Sequence, residues 1–245
     1  MRSKWIDRLR EISPRSIVYL FSGGKDSSLA LLLTRDIVKE FSRETGARVY
    51  IAYVLIPGNT HPLNTFCASS IMLHHRSYGF QPVWLSSSRV FQEYVPRYGL
   101  QIGSQRWCYT QFKWKPIEKF LRSLERPVLT IDGMSPRDSR KRARTITSEF
   151  TSVVSSSGLR WWSWHPLYGI DMSFDEKLEM LSRYRGFECV VELYRAFGDS
   201  LNCIICPYRP GIKIEDRYRW IVEKFVEMSI RSEWIKSRIL KSGCT

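Results

Sequence analysis

The stretch Ser22-Gly23-Gly24-Lys25-Asp26-Ser27 constrains this chain more than any other feature, because it separates a strand-like segment from a helical one. Before it, Ile17-Val18-Tyr19-Leu20-Phe21 is the continuous apolar, β-rich run of a buried parallel strand. After it, Leu29, Leu32, Leu33, Ile37, Val38 and Phe41 recur at helical spacing up to Gly46. A strand, a glycine turn and a helix in that order aim several backbone N–H groups and a positive helix terminus at one anion. Lys25 adds a full charge, and the hydroxyls of Ser22, Ser27 and Ser28 can bind phosphate oxygens. Asp26 reads as the helix N-cap, or as a holder of Mg²⁺ through water. The spacing fits neither G-x-x-x-x-G-K-S/T nor G-x-G-x-x-G.

The rest of the chain repeats the alternation. Residues 4–12 predict a short amphipathic helix, 48–56 a second buried strand, 63–78 a helix, 82–85 a third strand, 113–125 a helix and 127–131 a fourth strand. This pattern predicts an α/β fold with a doubly wound, mostly parallel sheet and helices on both faces. The character changes after the basic segment Arg137 to Arg144. Residues 151–158 are serine-rich and read as a surface loop, an aromatic segment Trp161 to Leu167 follows, and helices are expected over 173–185 and 216–240. We divide the chain into a nucleotide-binding α/β domain, 1–150, and a helical C-terminal region, 151–245, packed on the same domain.

Lys and Arg number 38 against 24 Asp and Glu, a formal net charge of +14, which points to an anionic partner: a small sulfated or phosphorylated nucleotide, or nucleic acid. No apolar run is long enough to span a membrane, and Asp7, Arg8 and Arg10 interrupt the stretch where a secretory signal needs its apolar segment, so the expected location is cytoplasmic. In that compartment the cysteines Cys67, Cys108, Cys189, Cys203, Cys206 and Cys244 argue against a disulfide framework and for metal or redox chemistry. His74 and His75 read as surface or packing residues, and His61 as a loop residue at the edge of the site.

The loop resembles the SGGxDS loop of the PP-loop superfamily, the adenine nucleotide α-hydrolases. Further segments, in order, resemble the phosphoadenylyl-sulfate (PAPS) reductase family within it: Gly58 to Thr65, Arg106-Trp107-Cys108-Tyr109-Thr110 with Lys113 and Pro116, Asp132 to Arg140, His165-Pro166-Leu167, Glu192-Leu193-Tyr194, and Cys203-Ile204-Ile205-Cys206-Pro207. Together they span roughly residues 16 to 210. Four departures stand out: Asn64 replaces the family's acidic residue, Trp107 stands where iron–sulfur members often have a cysteine, Asp138 replaces a glutamate, and Lys241-Ser242-Gly243-Cys244-Thr245 carries a thiol without the reductases' Glu-Cys-Gly-x-His-like motif around it.

The resemblance implies an adenine nucleotide, ATP or a sulfonucleotide (APS or PAPS), on Ser22, Gly23, Gly24, Lys25, Asp26, Ser27 and Ser28, with the basic segment 137–144, including Arg137 and Arg140, closing over it. It also implies that Cys108, Cys203 and Cys206 hold a 4Fe–4S cluster, with Zn²⁺ or no metal as alternatives, and with Cys67, Cys189 or Cys244 open as a fourth ligand. Two chemistries fit. In reduction of a sulfonucleotide, Cys244 is the nucleophile and a thioredoxin-like reductant or glutathione resolves the product. In ATP-dependent thiolation, the acceptor is tRNA or DNA. A third reading keeps the fold for a basic RNA-binding or scaffolding protein without catalysis.

Overall fold

The computed structural model describes residues 2–99, 106–198, 201–204 and 227. Cys206, Cys244, Pro207 and all but one residue of the expected 216–240 helix lie outside these. The elements are α1 (Arg2–Ile12), β1 (Ser16–Phe21), α2 (Lys25–Thr45), β2 (Arg48–Leu55), α3 (Pro62–His74), β3 (Gln81–Ser86), α4 (Phe91–Tyr98), α5 (Lys115–Arg122), β4 (Val128–Ile131), α6 (Arg140–Thr145), β5 (Phe150–Val154), β6 (Arg160–Trp164), α7 (Phe174–Ser182) and α8 (Glu188–Phe197). A π-helical stretch, Tyr109–Trp114, leads into α5.

The six strands form one sheet in the order β3-β2-β1-β4-β6-β5, parallel except for β5 against β6. The fold is thus α/β and doubly wound, as expected. Alternation along β1 and β2 divides the core. Ile17, Tyr19, Phe21, Val49, Ile51 and Tyr53 face one cluster, shared with α1, α2, α3, α7 and α8. Val18, Tyr50 and Ala52 face another, capped by Leu121 of α5 and Leu159. Because each strand is buried on both faces, its sequence is continuously apolar rather than alternating.

From β1 the chain winds outward through β2 and β3, then returns with β4 to the opposite side of β1. Strand order therefore reverses between β1 and β4, and the crevice beyond their carboxyl ends is where a doubly wound sheet accepts a ligand. The Ser22–Ser28 loop opens onto it.

Two expectations are corrected. The serine-rich segment 151–158 is a loop only in its second half: Phe150–Val154 is edge strand β5, residues 155–158 turn the chain, and the tryptophan segment is β6, with Phe150 facing Trp164 across the pair. An edge strand is buried on one side only, so Ser152 and Thr151 are tolerated there. The argument against disulfides also fails for one pair, since Cys67 on α3 and Cys189 on α8 are joined, their Cα atoms 5.4 Å apart. Neither is then available as a fourth metal ligand. His75 is a packing residue, fully buried among Tyr78, Phe80 and Phe187, and burial lowers its pKa to about 4. No helix of the described residues is long and apolar enough to cross a membrane.

Candidate functional site

A cavity of about 380 Å³ lies at the reversal point. Its floor is the loop: Ser22, Gly24, Asp26 and Ser27 line it. Gly23 takes φ +74°, a left-handed conformation that glycine adopts freely, and its Cα approaches α3 so closely that a Cβ would sit 2.9 Å from that of Ala68. The hydroxyls of Ser22 and Ser27 are 3.0 Å apart, and Ser27 Oγ donates to Gly24 O, so the turn is closed by its own side chains.

Two helices brace the loop from outside. Asn64 on α3 donates to Ser22 O at 3.2 Å, Tyr53 Oη at 2.9 Å and Asn202 Oδ1 at 3.3 Å. Tyr194 on α8 accepts from the Lys25 backbone N–H at 3.2 Å. Asn64 thus knits the loop to β2 and to segment 201–204. That segment pairs with the loop after β2 through a Thr60–Cys203 bridge and an Ile204 N–H to Asn59 O bond of 2.8 Å.

Asp26 is not the N-cap of α2. The helix starts at Lys25 behind an extended Gly24, which offers no side-chain cap. The Asp26 carboxylate instead accepts from Lys25 Nζ at 2.6 Å and from Lys177 Nζ of α7 at 2.8 Å. Burial would raise this carboxyl, but the hydrogen bonds from Lys177 and Lys25 and the charges of both outweigh it and hold it below its ordinary value of 3.8. A folded pKa below the unfolded one means that ionised Asp26 stabilises the fold fully above about pH 5, and that this contribution is lost as pH falls through the folded value. Thermal melts of wild type and Asp26→Asn are expected to differ by a constant amount from about pH 7 to about pH 5, and to converge on further acidification. A gap that widens toward acid would contradict this assignment.

On the far wall, Asp132, Gly133 and Met134 follow β4, and Tyr109, Lys113 and Arg142 complete the lining. The β4–β6 register pairs Ile131 with Trp164, so the next residues, Asp132 and His165, meet at the carboxyl edge. His165 Nδ1–H donates to Asp132 Oδ1 at 2.9 Å, both residues being buried, and the Met134 N–H donates to the same oxygen at 2.9 Å. The carboxylate is thereby fixed in orientation beside the loop.

Of the residues singled out from sequence, the structure brings Ser22, Gly24, Asp26, Ser27 and Cys203 to one cavity, with Lys25 at its edge. Ser28 is fully buried within α2, and its hydroxyl has no hydrogen-bond partner among the described residues. Arg137 pairs with Asp171, and Arg137 and Arg140 are absent from the cavity lining, where Arg142, paired with Asp138, stands instead. Cys108 and Cys203 are half-buried and pack against one apolar cluster of Ile56, Phe91, Val95 and Phe112. Among the described residues no three His, Cys, Asp or Glu side chains converge as a metal site. Sequence reading gives Arg142 only as part of the 137–144 basic segment, quotes Asp132 and His165 in family-like segments without a role, and does not single out Lys177. Of these, only Asp132 with His165 had a legible signal, two polar residues each ending an apolar strand.

No protein-family model matches the chain. It is 22% identical over 234 residues to uncharacterized protein MJ0973 of Methanocaldococcus jannaschii, covering 90% of this chain and 49% of that protein. It is 24% identical over 236 residues to uncharacterized protein MJ0066 of the same organism, covering 91% and 45%. The chain therefore spans about half the length of the curated relatives it matches. Among solved structures it is similar to phosphoadenylyl-sulfate reductase from Candida auris in its phosphate complex, at 11% identity and TM-score 0.43, over 76% of this chain and 80% of that one. It is also similar to the U34-tRNA thiolase NcsA from Methanococcus maripaludis with its 4Fe–4S cluster, at 15% identity and TM-score 0.38, over 94% and 66%.

Proposed function

We propose that the chain is an adenine-nucleotide-dependent enzyme of sulfur chemistry in the PP-loop superfamily, and that it uses ATP to activate an acceptor for thiolation. The observation that carries this reading is that Ser22, Gly24 and Ser27 of the loop and the half-buried thiol of Cys203 line the same cavity. Loop N–H groups, the α2 terminus, Lys25, Lys113 and Arg142 would neutralise a polyphosphate, and apolar Ala52, Val54 and Ile56 give an adenine ring a surface to lie against. The chain's own part is then to hold the leaving phosphates and to keep a thiol beside the reacting centre. Cys108, Cys203 and Cys206 would hold a 4Fe–4S cluster, which supplies an open iron for the transferred sulfur when bound. A net charge of +14, with Arg140, Lys141, Arg142 and Arg144 on exposed α6, favours a nucleic-acid acceptor.

A second reading, reduction of APS or PAPS by Cys244, is supported by the ordered series of family-like segments. The products separate the two. ATP–pyrophosphate exchange supports the first, whereas sulfite released from PAPS by the wild type but not by Cys244→Ser supports the second. Lys25→Ala is expected to reduce whichever activity is present by about tenfold or more, since it removes a charge-assisted phosphate contact. Turnover of neither nucleotide would leave the fold as a basic binding or scaffolding protein.

A further inference from the structure

Lys25 and Lys177 share one counter-ion. Their ammonium groups lie 2.6 and 2.8 Å from the two oxygens of Asp26, and the side chains are only 18%, 15% and 27% exposed in the order Lys25, Lys177, Asp26. Two cations on one carboxylate leave an uncompensated positive charge at the N-terminus of α2, which contributes further positive potential of its own. Lys25 Nζ also lies 5.6 Å from the Phe174 ring centroid and 5.7 Å from that of Tyr194, so aromatic faces of α7 and α8 stabilise a cation held here. Asp26 lines the cavity, which puts both ammonium groups one carboxylate away from it. Among the described residues the Lys177 ammonium has no hydrogen-bond partner other than Asp26, and an ammonium has three N–H groups to give.

We propose that Lys177 is a second phosphate-binding cation of the loop: Asp26 holds it at the cavity, and it turns part of its donors to a nucleotide phosphate when one binds. This rests on the reading of residues 22–28 as a nucleotide-phosphate site. The position of Lys177 one turn into α7 is fixed by its helix start, where Ser173 Oγ accepts from the Glu176 N–H and the Glu176 carboxylate accepts from the Ser173 N–H. The lysine is therefore delivered by a packed element and not by a free surface chain.

The test is calorimetric titration of the full chain with ATP and with adenosine, in EDTA so that no divalent cation intervenes. Lys177→Gln is expected to weaken ATP binding by about tenfold or more and to leave adenosine affinity unchanged, while Lys177→Arg restores ATP binding to within about threefold. Asp26→Asn, whose amide oxygen can still accept from Lys177 while the competing negative charge is removed, is expected to tighten ATP binding. ATP affinity of Lys177→Gln equal to wild type would show that the lysine only tethers Asp26, and would overturn the proposal while the loop reading stands. Equal losses for ATP and adenosine, or an Asp26→Asn loss matching that of Lys177→Gln, would overturn it too. A wild-type chain that binds neither ligand would remove the loop reading itself, and this proposal with it.

Discussion

Gly133→Ala is expected to dislodge the Ser22–Ser28 loop. A Cβ at this position would sit 2.4 Å from the carbonyl carbon of Asp26, 2.5 Å from its oxygen and 2.5 Å from the amide nitrogen of Ser27. These are backbone atoms of the first turn of α2, which cannot rotate away as a side-chain tip can, so either β4 or α2 must shift. Over-packing of this kind costs about 1–3 kcal/mol and sometimes more. At about 2–4 °C per kcal/mol for a chain of this size, the melting temperature should fall by roughly 2–12 °C. Because the displaced atoms are the loop's own, the adenine-nucleotide affinity proposed for it should fall by about tenfold or more in protein that still folds. Denaturation and titration of the same preparation check both. Wild-type values in each would mean that β4 and the loop are not in contact at Gly133.

The contact also explains which parts of the site were legible in the sequence. The β1–loop–α2 unit is written locally: an apolar strand, two glycines, then a 3.6-residue repeat, each specifying its own conformation. Alternating strands and helices point to a parallel sheet, and the reversal of strand order between β1 and β4 is seen in the structure. Asp26 was misread because the local rule for an acidic residue at a helix start is capping, whereas its carboxylate is drawn to Lys177, 151 positions away. The edge strand β5 was missed because one-sided burial leaves its composition polar enough to pass for a loop. Arg142 rather than Arg137 or Arg140 reaches the cavity because Ser139 Oγ, accepting from the Arg142 N–H, starts a short helix there, and helical phase then selects the side chain that points inward.

Loss of the Cys67–Cys189 bond is expected to produce a comparably large effect through a different route. The bond joins positions 122 residues apart, and cross-links closing loops of that size stabilise by about 4–5 kcal/mol in the chain-entropy account, with about 2–4 kcal/mol typical of measurement. Reduction, or the Cys67→Ala/Cys189→Ala double variant, should therefore lower the melting temperature by roughly 5–15 °C. The bond also ties α3 to α8, and these helices carry the two outer braces of the loop: Asn64, one turn before Cys67, on Ser22 O, and Tyr194, five residues after Cys189, on the Lys25 N–H. Untying them should weaken the proposed nucleotide binding as well as stability. The double variant isolates the cause, because a reductant should no longer shift its melting temperature, whereas a Cys108→Ser chain should respond as the wild type does. A wild-type melting temperature indifferent to reductant would mean that the pair does not cross-link the folded chain, and that the two helices brace the loop by packing alone.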